Sequence, residues 1–167
     1  MKSFKWIYEH VQAHKSGEDV ELLLPQAKSQ SELVLLPDDR ILSDMVRRVF
    51  RAGLKHSLVD SKWPAFEEAF FRFDPDKICL MSDEQLENMM QNEKLIRHWG
   101  KIKSVRINAN MMQEQAEKQG SFARFIADWP SEDIIGLWAY LKKHGNQLGG
   151  NSGPYFLRMI GKDTFIL

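Results

Sequence analysis

The chain has little cysteine, no excess of either charge and no long apolar run. Cys79 is the only cysteine among 167 residues, which excludes an internal disulfide framework and a zinc site built from several cysteines. Lys plus Arg and Asp plus Glu each number 23, so the molecule as a whole has no electrostatic attraction to nucleic acid. No apolar run approaches the roughly 18 residues of a membrane span, and the first residues form no signal-peptide core. The sequence predicts a cytoplasmic protein without a membrane partner.

Almost every segment has the periodicity of a helix. From Ile41 to Leu54 the apolar residues recur as one buried face, and Asp38-Asp39 precedes them as a candidate N-cap. Ser82 and Gln85 form a capping box. The predicted helices cover 4–14, 41–54, 63–73 (started by Pro64), 82–90 and 102–119 (after a turn at Gly100), with two more capped by Ser121 and Ser131. No segment alternates as a strand does. We predict a single all-α domain over 1–167 with about eight to ten short helices.

Three glycines lie close together between two of the predicted helices, at 149, 150 and 153. A turn this rich in glycine leaves backbone N–H groups bare, and a helix that begins near Pro154 offers its N-terminus to an anion. The segment 132–161 thus has the form of a helix-hairpin-helix that holds a DNA phosphate. Its candidate contacts are Gly149, Gly150, Asn151, Ser152, Gly153 and Tyr155. A plain helix–helix connection with glycine caps explains the same residues, so both interpretations stay open.

A second candidate is the basic run from Lys94 to Arg106, which contains five cations, one histidine and no carboxylate. Such a run can neutralise phosphates and supply non-specific affinity for duplex DNA. Arg97, His98 and Lys101 are its candidate contacts. A solvated helix face is the alternative.

Three further groups of residues have a functional and an ordinary interpretation. Arg48 and His56 flank Ala52-Gly53, where they form either the rim of a cleft or basic residues near the C-terminus of a helix. The aromatic residues of 63–73 suit a base pocket, but their helical spacing is more typical of core. His10 and His14 have metal-ligand spacing without further ligands, so we predict no metal site.

Several segments occur in the order seen in a known family. These are Arg51-Ala52-Gly53-Leu54, Phe66 to Lys77, Ile96 to Ile102 and Asn108-Ala109. Over roughly residues 41 to 129 the chain resembles the 3-methyladenine DNA glycosylase I family, which belongs to the helix-hairpin-helix glycosylase superfamily. The resemblance implies a two-lobed helical protein, associated with the nucleoid, that bends double-stranded DNA. It would flip an alkylated or otherwise damaged base and hydrolyse the N-glycosidic bond. No cofactor is implied beyond a monovalent cation at the hairpin.

The chain departs from this family at the predicted base pocket. Arg48 stands where the family has a pocket glutamate, and a cation there would repel a positively charged base such as 3-methyladenine. His56 replaces the family's stacking tryptophan, and the family's zinc ligands have no counterparts. Ser152 stands at the expected second glycine of the hairpin. The damaged base is therefore not predicted.

The resemblance also leaves the catalytic acid open. The segment Asp163 to Leu167 resembles the one that, in the superfamily, runs into the catalytic aspartate. We therefore expect a longer natural chain with the carboxylate just beyond Leu167, and a 167-residue form that binds without cutting; Asp163 is a weaker candidate. A non-catalytic DNA-binding relative that recognises damaged or bent duplex is the alternative, and a domain that binds protein partners is a third. Oligomeric state is not predicted.

Overall fold

The structure, a computed structural model, describes Trp6, Glu9, His10, Ala13 and residues 26–163. Residues 26–163 form nine α-helices and no strand, which confirms the predicted all-α class. The helices are α1 (Gln30–Leu33), α2 (Asp38–Arg51), α3 (His56–Ala69), α4 (Pro75–Cys79), α5 (Asp83–Asn88), α6 (Trp99–Gln119), α7 (Phe122–Asp128), α8 (Ile134–His144) and α9 (Ser152–Ile160). Short 3₁₀ turns occur at Phe71–Phe73, Met89–Gln91 and Ser131–Asp133.

Helix α2 lies at the centre of this arrangement and packs against α3, α6 and α9. Its apolar face is fully buried, as the periodicity predicts; it consists of Ile41, Leu42, Met45, Val46, Val49 and Phe50. Burial of each such side chain contributes about 1.5–3 kcal/mol. The polar face of α2 carries arginines, and its C-terminal turn therefore brings cations to the junction of α2, α6 and α9.

The predicted N-cap of α2 is wrong. The helix begins at Asp38 after Pro37, and no side chain caps it. The Asp38 carboxylate instead accepts hydrogen bonds from the backbone N–H groups of Phe122 (2.8 Å) and Ala123 (2.9 Å). It thus satisfies donors at the start of α7, a helix distant in sequence. Capping patterns in a sequence relate residues a few positions apart, so they do not predict a cap supplied by a residue more than eighty positions away.

The aromatic helix begins earlier than predicted, at His56, and Pro64 lies inside it rather than at its start. This helix ends at Ala69, and a 3₁₀ turn follows it. Four of the five aromatics of 63–73 are core, in agreement with the sequence: Trp63, Phe66, Phe70 and Phe73 are at most 3% exposed, and Phe71 is 42% exposed. The Trp63 and Phe73 rings stack with centroids 5.3 Å apart. The segment from 63 to 73 therefore builds the core and leaves no ring free to form a base pocket except Phe71.

Helix α6 also starts before its predicted boundary. His98 is its N-cap, because its Nδ1 accepts a hydrogen bond from the Lys101 N–H (3.2 Å). Gly100 accordingly lies in the first turn of α6, and the predicted turn at this glycine is wrong. The C-terminus agrees with the sequence, since Gly120 has the left-handed conformation of a helix cap (φ 95°).

The capping predictions have mixed outcomes. The capping box of Ser82 and Gln85 at α5 is confirmed, as is the cap of Ser121 at α7. Ser131 does not cap α8; Asp133 does, by accepting from the Gly136 N–H. Both residues are short polar side chains before the same apolar run, which explains the misassignment.

Two predictions fall mainly on undescribed residues. Of the helix predicted over 4–14, Trp6, Glu9, His10 and Ala13 are described, and the rings of Trp6 and His10 stack with centroids 4.7 Å apart. His14 and the segment 164–167 lie outside the described residues. Among the helices that the structure describes, none is long and apolar enough to cross a membrane.

Candidate functional site

The glycine-rich turn joins α8 to α9, and a buried leucine fixes its shape. Leu148 is 2% exposed and anchors the turn in the core. Its carbonyl accepts from the Gly153 N–H, and the Gly149 carbonyl accepts from the Ser152 N–H, each at 3.2 Å. Gly150 has a left-handed backbone (φ 57°), which few side chains tolerate. The turn is therefore a defined structure that reverses the chain between two helices.

Asn108 of α6 holds this turn in place through two hydrogen bonds to Asn146. It is fully buried, its Oδ1 accepts from the Asn146 N–H (2.7 Å), and its Nδ2 donates to the Asn146 carbonyl (3.1 Å). Gly145 makes the close approach possible, because a Cβ at that position would lie 2.7 Å from the Leu141 carbonyl oxygen and 3.1 Å from Asn108 Oδ1. A helix remote in sequence thus sets the position of the turn.

The tip of the turn presents backbone donors to solvent. Gly149, Gly150 and Asn151 are exposed, and their N–H groups donate no hydrogen bond within the described part of the chain. They directly precede α9, whose N-terminus carries partial positive charge. The Lys142 side chain lies beside Gly149, where an added Cβ would be 3.6 Å from Lys142 Cγ. These features together suit an anion. Ser152 and Gly153 are buried, so of the six predicted contacts these two lie beneath the exposed tip.

The start of α6 lies against the same turn. A Cβ at Gly100 would be 3.6 Å from Nε2 of Gln147, a residue of the turn. Arg97 and His98 immediately precede α6 and are both exposed. Two segments that the sequence predicts separately as DNA contacts are therefore neighbours in the fold.

The basic run does not act as one patch. Lys101 is 8% exposed, and its Nζ donates to the carbonyls of Ala52 (2.6 Å) and Phe50 (3.3 Å) at the end of α2. Burial, together with the charge of Arg48, lowers the pKa of Lys101. Arg106 donates to the Met81 carbonyl (2.6 Å) and to the Asp83 carboxylate. The cations left exposed are Lys94, Arg97 and Lys103.

Arg48, the predicted base-pocket residue, lies next to the hairpin. Its guanidinium carbon is 4.9 Å from the ring centroid of Tyr155, which is in the first turn of α9. Burial lowers the pKa of Arg48; Tyr155 partly counteracts this and the charge of Arg51 adds to it. His56 is exposed as the first residue of α3, and no contact joins it to Arg48 within the described residues. The structure therefore brings Arg48 against Tyr155 and close enough to Lys101 for its charge to act on the lysine, whereas His56 is exposed at the start of α3.

Asp163 lies in a different environment. It lines a cavity of about 190 Å³ together with Lys28, Trp129 and Lys162. The Lys162 Nζ donates to the Trp129 carbonyl (2.6 Å), and burial lowers the Lys162 pKa while Asp163 and Asp128 raise it. At 1.5 Å rise per residue, α9 carries the chain roughly 7.5 Å from Tyr155 to Ile160, and Asp163 follows three residues after the helix ends. Asp163 therefore does not share the environment of Arg48.

The described residues contain no group of three or more His, Cys, Asp or Glu side chains arranged to hold a metal ion. At the hairpin, the carbonyls of Leu148 and Gly149 each accept one backbone hydrogen bond. Each oxygen retains a second lone pair that a monovalent cation could use.

Comparison with known proteins identifies the family. The sequence profile of the methyladenine glycosylase family matches residues 35–146, which cover most of the chain and include α2 to α8. The chain belongs to this family. The predicted resemblance to 3-methyladenine glycosylases is thereby confirmed.

Individual relatives support this assignment. The chain is 32% identical to DNA-3-methyladenine glycosylase 1 of Escherichia coli (strain K12) and 36% identical to the DNA-3-methyladenine glycosylase of Haemophilus influenzae. Each match extends over 76 residues, which are 46% of this chain and 41% of the relative. The chain thus spans less than half the length of these curated relatives. A crystal structure of 3-methyladenine DNA glycosylase I superposes with a TM-score of 0.64 at 26% identity, covering 74% of this chain and 79% of the other.

Two residues at the glycine-rich turn are not among the site residues that the sequence predicts, Asn108 and Gln147. The sequence places Asn108 in the family pattern without a role, and it assigns none to Gln147. A polar residue on the buried face of α6 is the signal that identifies Asn108, since Ile102, Val105, Ala109 and Met112 surround it in the core. Nothing in the sequence points to Gln147, because its role depends on contact with a helix almost fifty residues earlier.

Proposed function

We propose that this chain is a DNA glycosylase of base-excision repair. It binds double-stranded DNA, flips a damaged base out of the helix and hydrolyses its N-glycosidic bond. Membership of the methyladenine glycosylase family and the names of the bacterial relatives support this activity. On this proposal the partner is damaged duplex DNA, and the protein works in the cytoplasm at the nucleoid.

The observation that carries the proposal is the exposed hairpin tip. Three consecutive residues, 149–151, present free N–H groups at the N-terminus of α9. Arg97 is exposed just before α6, whose Gly100 adjoins the turn residue Gln147, and adds a cation near the turn. Phosphate contacts of this kind fix a protein on the duplex without reading sequence. They suit an enzyme that must search any sequence for damage.

Hydrolysis of the glycosidic bond adds water to C1′ of the sugar, and the base leaves with the bonding electrons and takes up a proton. The sugar passes through an oxocarbenium-like state, so a nearby carboxylate stabilises the transition state. Among the described residues no acid adjoins Arg48 and Lys101 closely enough to raise either pKa. Asp163 remains a candidate for this role only if the DNA sugar reaches the end of α9.

The absence of an acid beside Arg48 among the described residues supports a second proposal. In that case the chain is a DNA-binding relative that recognises damaged or bent duplex without cutting it. Both proposals require no cofactor; a monovalent cation on the hairpin carbonyls would add positive charge next to the bound phosphate.

The first test compares two duplexes, one with an abasic-site analogue and one undamaged, at two salt concentrations. We expect tighter binding to the abasic duplex, because a site without a base removes the unstacking cost of a few kcal/mol. Affinity should fall with salt, since bound phosphates release counterions. Equal binding to both duplexes, or none, would overturn the DNA-repair proposal.

A pair of substitutions at Gly150 tests the hairpin. Gly150→Asp and Gly150→Asn place side chains of similar size on the same left-handed backbone, which Asn and Asp tolerate better than other residues. They differ by one negative charge next to the proposed phosphate. We expect Gly150→Asp to bind all duplexes about tenfold more weakly than Gly150→Asn. Equal affinity of the two variants would remove the hairpin tip from the interface.

Base release separates the enzyme from the binding protein. The chain is incubated with duplexes that carry one damaged base each, and free bases are detected by chromatography. Release by the unmodified protein that disappears in Asp163→Asn would assign the acid to Asp163. Binding without release from any substrate would favour the non-catalytic alternative.

A further inference from the structure

Trp99, the first residue of α6, has a large indole side chain that the fold does not use. It is 39% exposed, and it belongs neither to the hydrophobic core nor to the half-buried layer around the core. Among the residues that the structure describes, its ring contacts no other ring and no cation, and its N–H donates no hydrogen bond. The indole is therefore available to a ligand.

This distinguishes Trp99 from the other four tryptophans, each of which contacts another ring or the core. Trp6 stacks on His10, Trp63 stacks on Phe66, Trp129 contacts Tyr140, and Trp138 packs against the core. Tryptophan is enriched at binding interfaces because its ring joins a large apolar area to a polar N–H. Trp99 is thus the tryptophan whose surroundings suit binding rather than packing.

The face of α6 that carries Trp99 is directed away from the core. Lys101, Ile102 and Val105 form the buried face of the first turns of this helix. Lys103, four residues after Trp99, lies on the same face as Trp99 and is exposed like it. The indole and a lysine therefore form one exposed surface at the start of α6.

This surface adjoins the hairpin. A Cβ at Gly100, the residue after Trp99, would lie 3.6 Å from Nε2 of Gln147 in the turn. Packed helices lie about 8–10 Å apart, and a DNA strand advances about 3.4 Å per nucleotide. A strand whose phosphate binds at the tip of the hairpin therefore needs about three nucleotides to reach the start of α6.

The charge at the start of α6 favours DNA as the ligand. From Lys94 to Gln113 the sequence contains no carboxylate, and the exposed cations Arg97 and Lys103 lie on either side of Trp99 in the chain. Cations next to an aromatic ring allow phosphates to approach while a base stacks on the ring.

We propose that Trp99 stacks on a base that damage or flipping has left unstacked in the bound duplex. A flipped or missing base leaves a gap, and the bases around the gap expose their faces. Every base has such a face, so recognition by stacking tolerates any sequence. Trp99 then recognises the distorted duplex and takes no part in cleavage. This inference rests on the proposed DNA-repair function, because it requires a duplex bound at the hairpin.

The test measures the affinity of Trp99 variants for a duplex with an abasic-site analogue and for the same undamaged duplex. Trp99→Ala should bind the abasic duplex about tenfold more weakly, within the range for loss of one stacked base. Its affinity for the undamaged duplex should be unchanged. Trp99→Phe should keep most of the affinity for the abasic duplex, whereas Trp99→Leu should behave like Trp99→Ala because leucine has no ring.

Phe71→Ala is the matched control. Phe71 is also an exposed aromatic residue, at 42%, and its turn lies at the start of α2, where Arg40 donates to the Arg72 carbonyl. Lys101 ties the start of α6 to the other end of α2, and the two ends of this 14-residue helix are roughly 20 Å apart. Phe71→Ala should therefore bind both duplexes as the wild type does.

Two further measurements separate stacking from charge. Stacking releases no counterions, so Trp99→Ala should keep the salt dependence of the wild type, whereas loss of a phosphate contact lowers the slope by about one. The fluorescence of 2-aminopurine falls when the base stacks. With 2-aminopurine opposite or beside the abasic analogue, the wild type should quench the fluorescence at one of these positions, and Trp99→Ala should not.

Equal affinity of the wild type and Trp99→Ala for the abasic duplex would overturn the inference and leave Trp99 for a protein partner. An equal loss on both duplexes, or full affinity in Trp99→Leu, would also overturn it, since neither result requires stacking on an exposed base. If the wild type still prefers the abasic duplex in these cases, the proposed function survives. Absence of that preference in the wild type would overturn both.

Thermal unfolding of each variant is measured before binding. Because Trp99 is exposed, its variants should unfold at the temperature of the wild type. If Trp99→Ala is less stable, the comparison of Trp99→Phe with Trp99→Leu gives the same decision, since these two side chains are both apolar and differ in the ring.

Discussion

At the scale of single residues, the site depends on polar side chains that lie inside the protein. Arg48, Lys101 and Asn108 occupy helix positions that face other helices, and each meets a partner more than thirty residues away in sequence. Lys101 donates to the last carbonyls of α2, which lack partners within their own helix. Substitution of such residues should lower the free energy of unfolding, because a buried polar group that loses its hydrogen-bond partner destabilises the fold.

Asn108→Ala should lower the free energy of unfolding by about 2 kcal/mol, since the N–H and carbonyl of Asn146 lose both hydrogen bonds. Urea denaturation measures the change. Asn110→Ala is the matched control, because Asn110 is exposed on the same helix. Equal loss in the two variants would mean that Asn108 does not hold the hairpin.

Glu67 should make stability depend on pH in the acidic range. Burial raises its pKa, but hydrogen bonds from Arg40 and Ser43 outweigh burial, so the pKa lies below its ordinary value of 4.5. The ionised carboxylate therefore stabilises the fold above pH 4.5, and this contribution disappears as pH falls through the lowered pKa. Melting temperatures from about pH 6 to about pH 3 should converge for wild type and Glu67→Gln. Glu68→Gln, an exposed neighbour, should follow the wild type at every pH.

At the scale of elements, the hairpin is a rigid part whose glycines have different roles. A Cβ at Gly153 would lie 2.8 Å from the Leu148 carbonyl oxygen, whereas a Cβ at Gly149 would make ordinary contact with Lys142 at 3.6 Å. Gly153 thus allows the close approach of α9 to the turn. Gly149 contributes its N–H group, which alanine also has.

Gly153→Ala should therefore destabilise the protein by about 1–3 kcal/mol, as overpacking does. Gly149→Ala should change stability little and should keep DNA affinity. Thermal unfolding and duplex titration of both variants measure these effects. An equal loss of stability in the two variants would mean that the turn does not require the close approach of Gly153 to the Leu148 carbonyl.

Helix identity was largely predictable, and helix boundaries were not. Apolar periodicity located α2 and α6 because it depends on residues within one helix. The sequence predicts the starts of α3 and α6 too late, because Pro64 and Gly100 indicate boundaries there, and tertiary packing accommodates both residues inside helices. A cap such as Asp38 on α7 joins two helices and cannot be found from either alone.

At the scale of the whole molecule, the proposed DNA affinity would have to come from a small surface. The net charge is zero, and the basic run of 94–106 loses Lys101 and Arg106 to internal contacts. Among the described residues, the cations near the hairpin include Arg97 and Lys142, next to the exposed N–H groups of the tip. Binding should therefore be moderate in strength, with few phosphates neutralised.

Arg97→Gln should lower the slope of log affinity against log salt by about one, the value for one phosphate contact. The sequence alone predicts the same for Lys101. Because Lys101 is buried, we now expect Lys101→Met to leave the slope unchanged, with Arg124→Gln as the control for loss of an exposed charge. A lower slope in Lys101→Met and not in Arg97→Gln would reverse this assignment.

The sequence by itself determined the all-α class, the family and the place of the glycine turn, because each depends on residue types in local order. Only the tertiary structure decided which polar residues share a site. Arg48, Lys101 and Tyr155 meet because α2, α6 and α9 converge, and Asn108 reaches Asn146 because Gly145 has no side chain in the way. These contacts join helices far apart in the chain, and the packing of the shared core sets them.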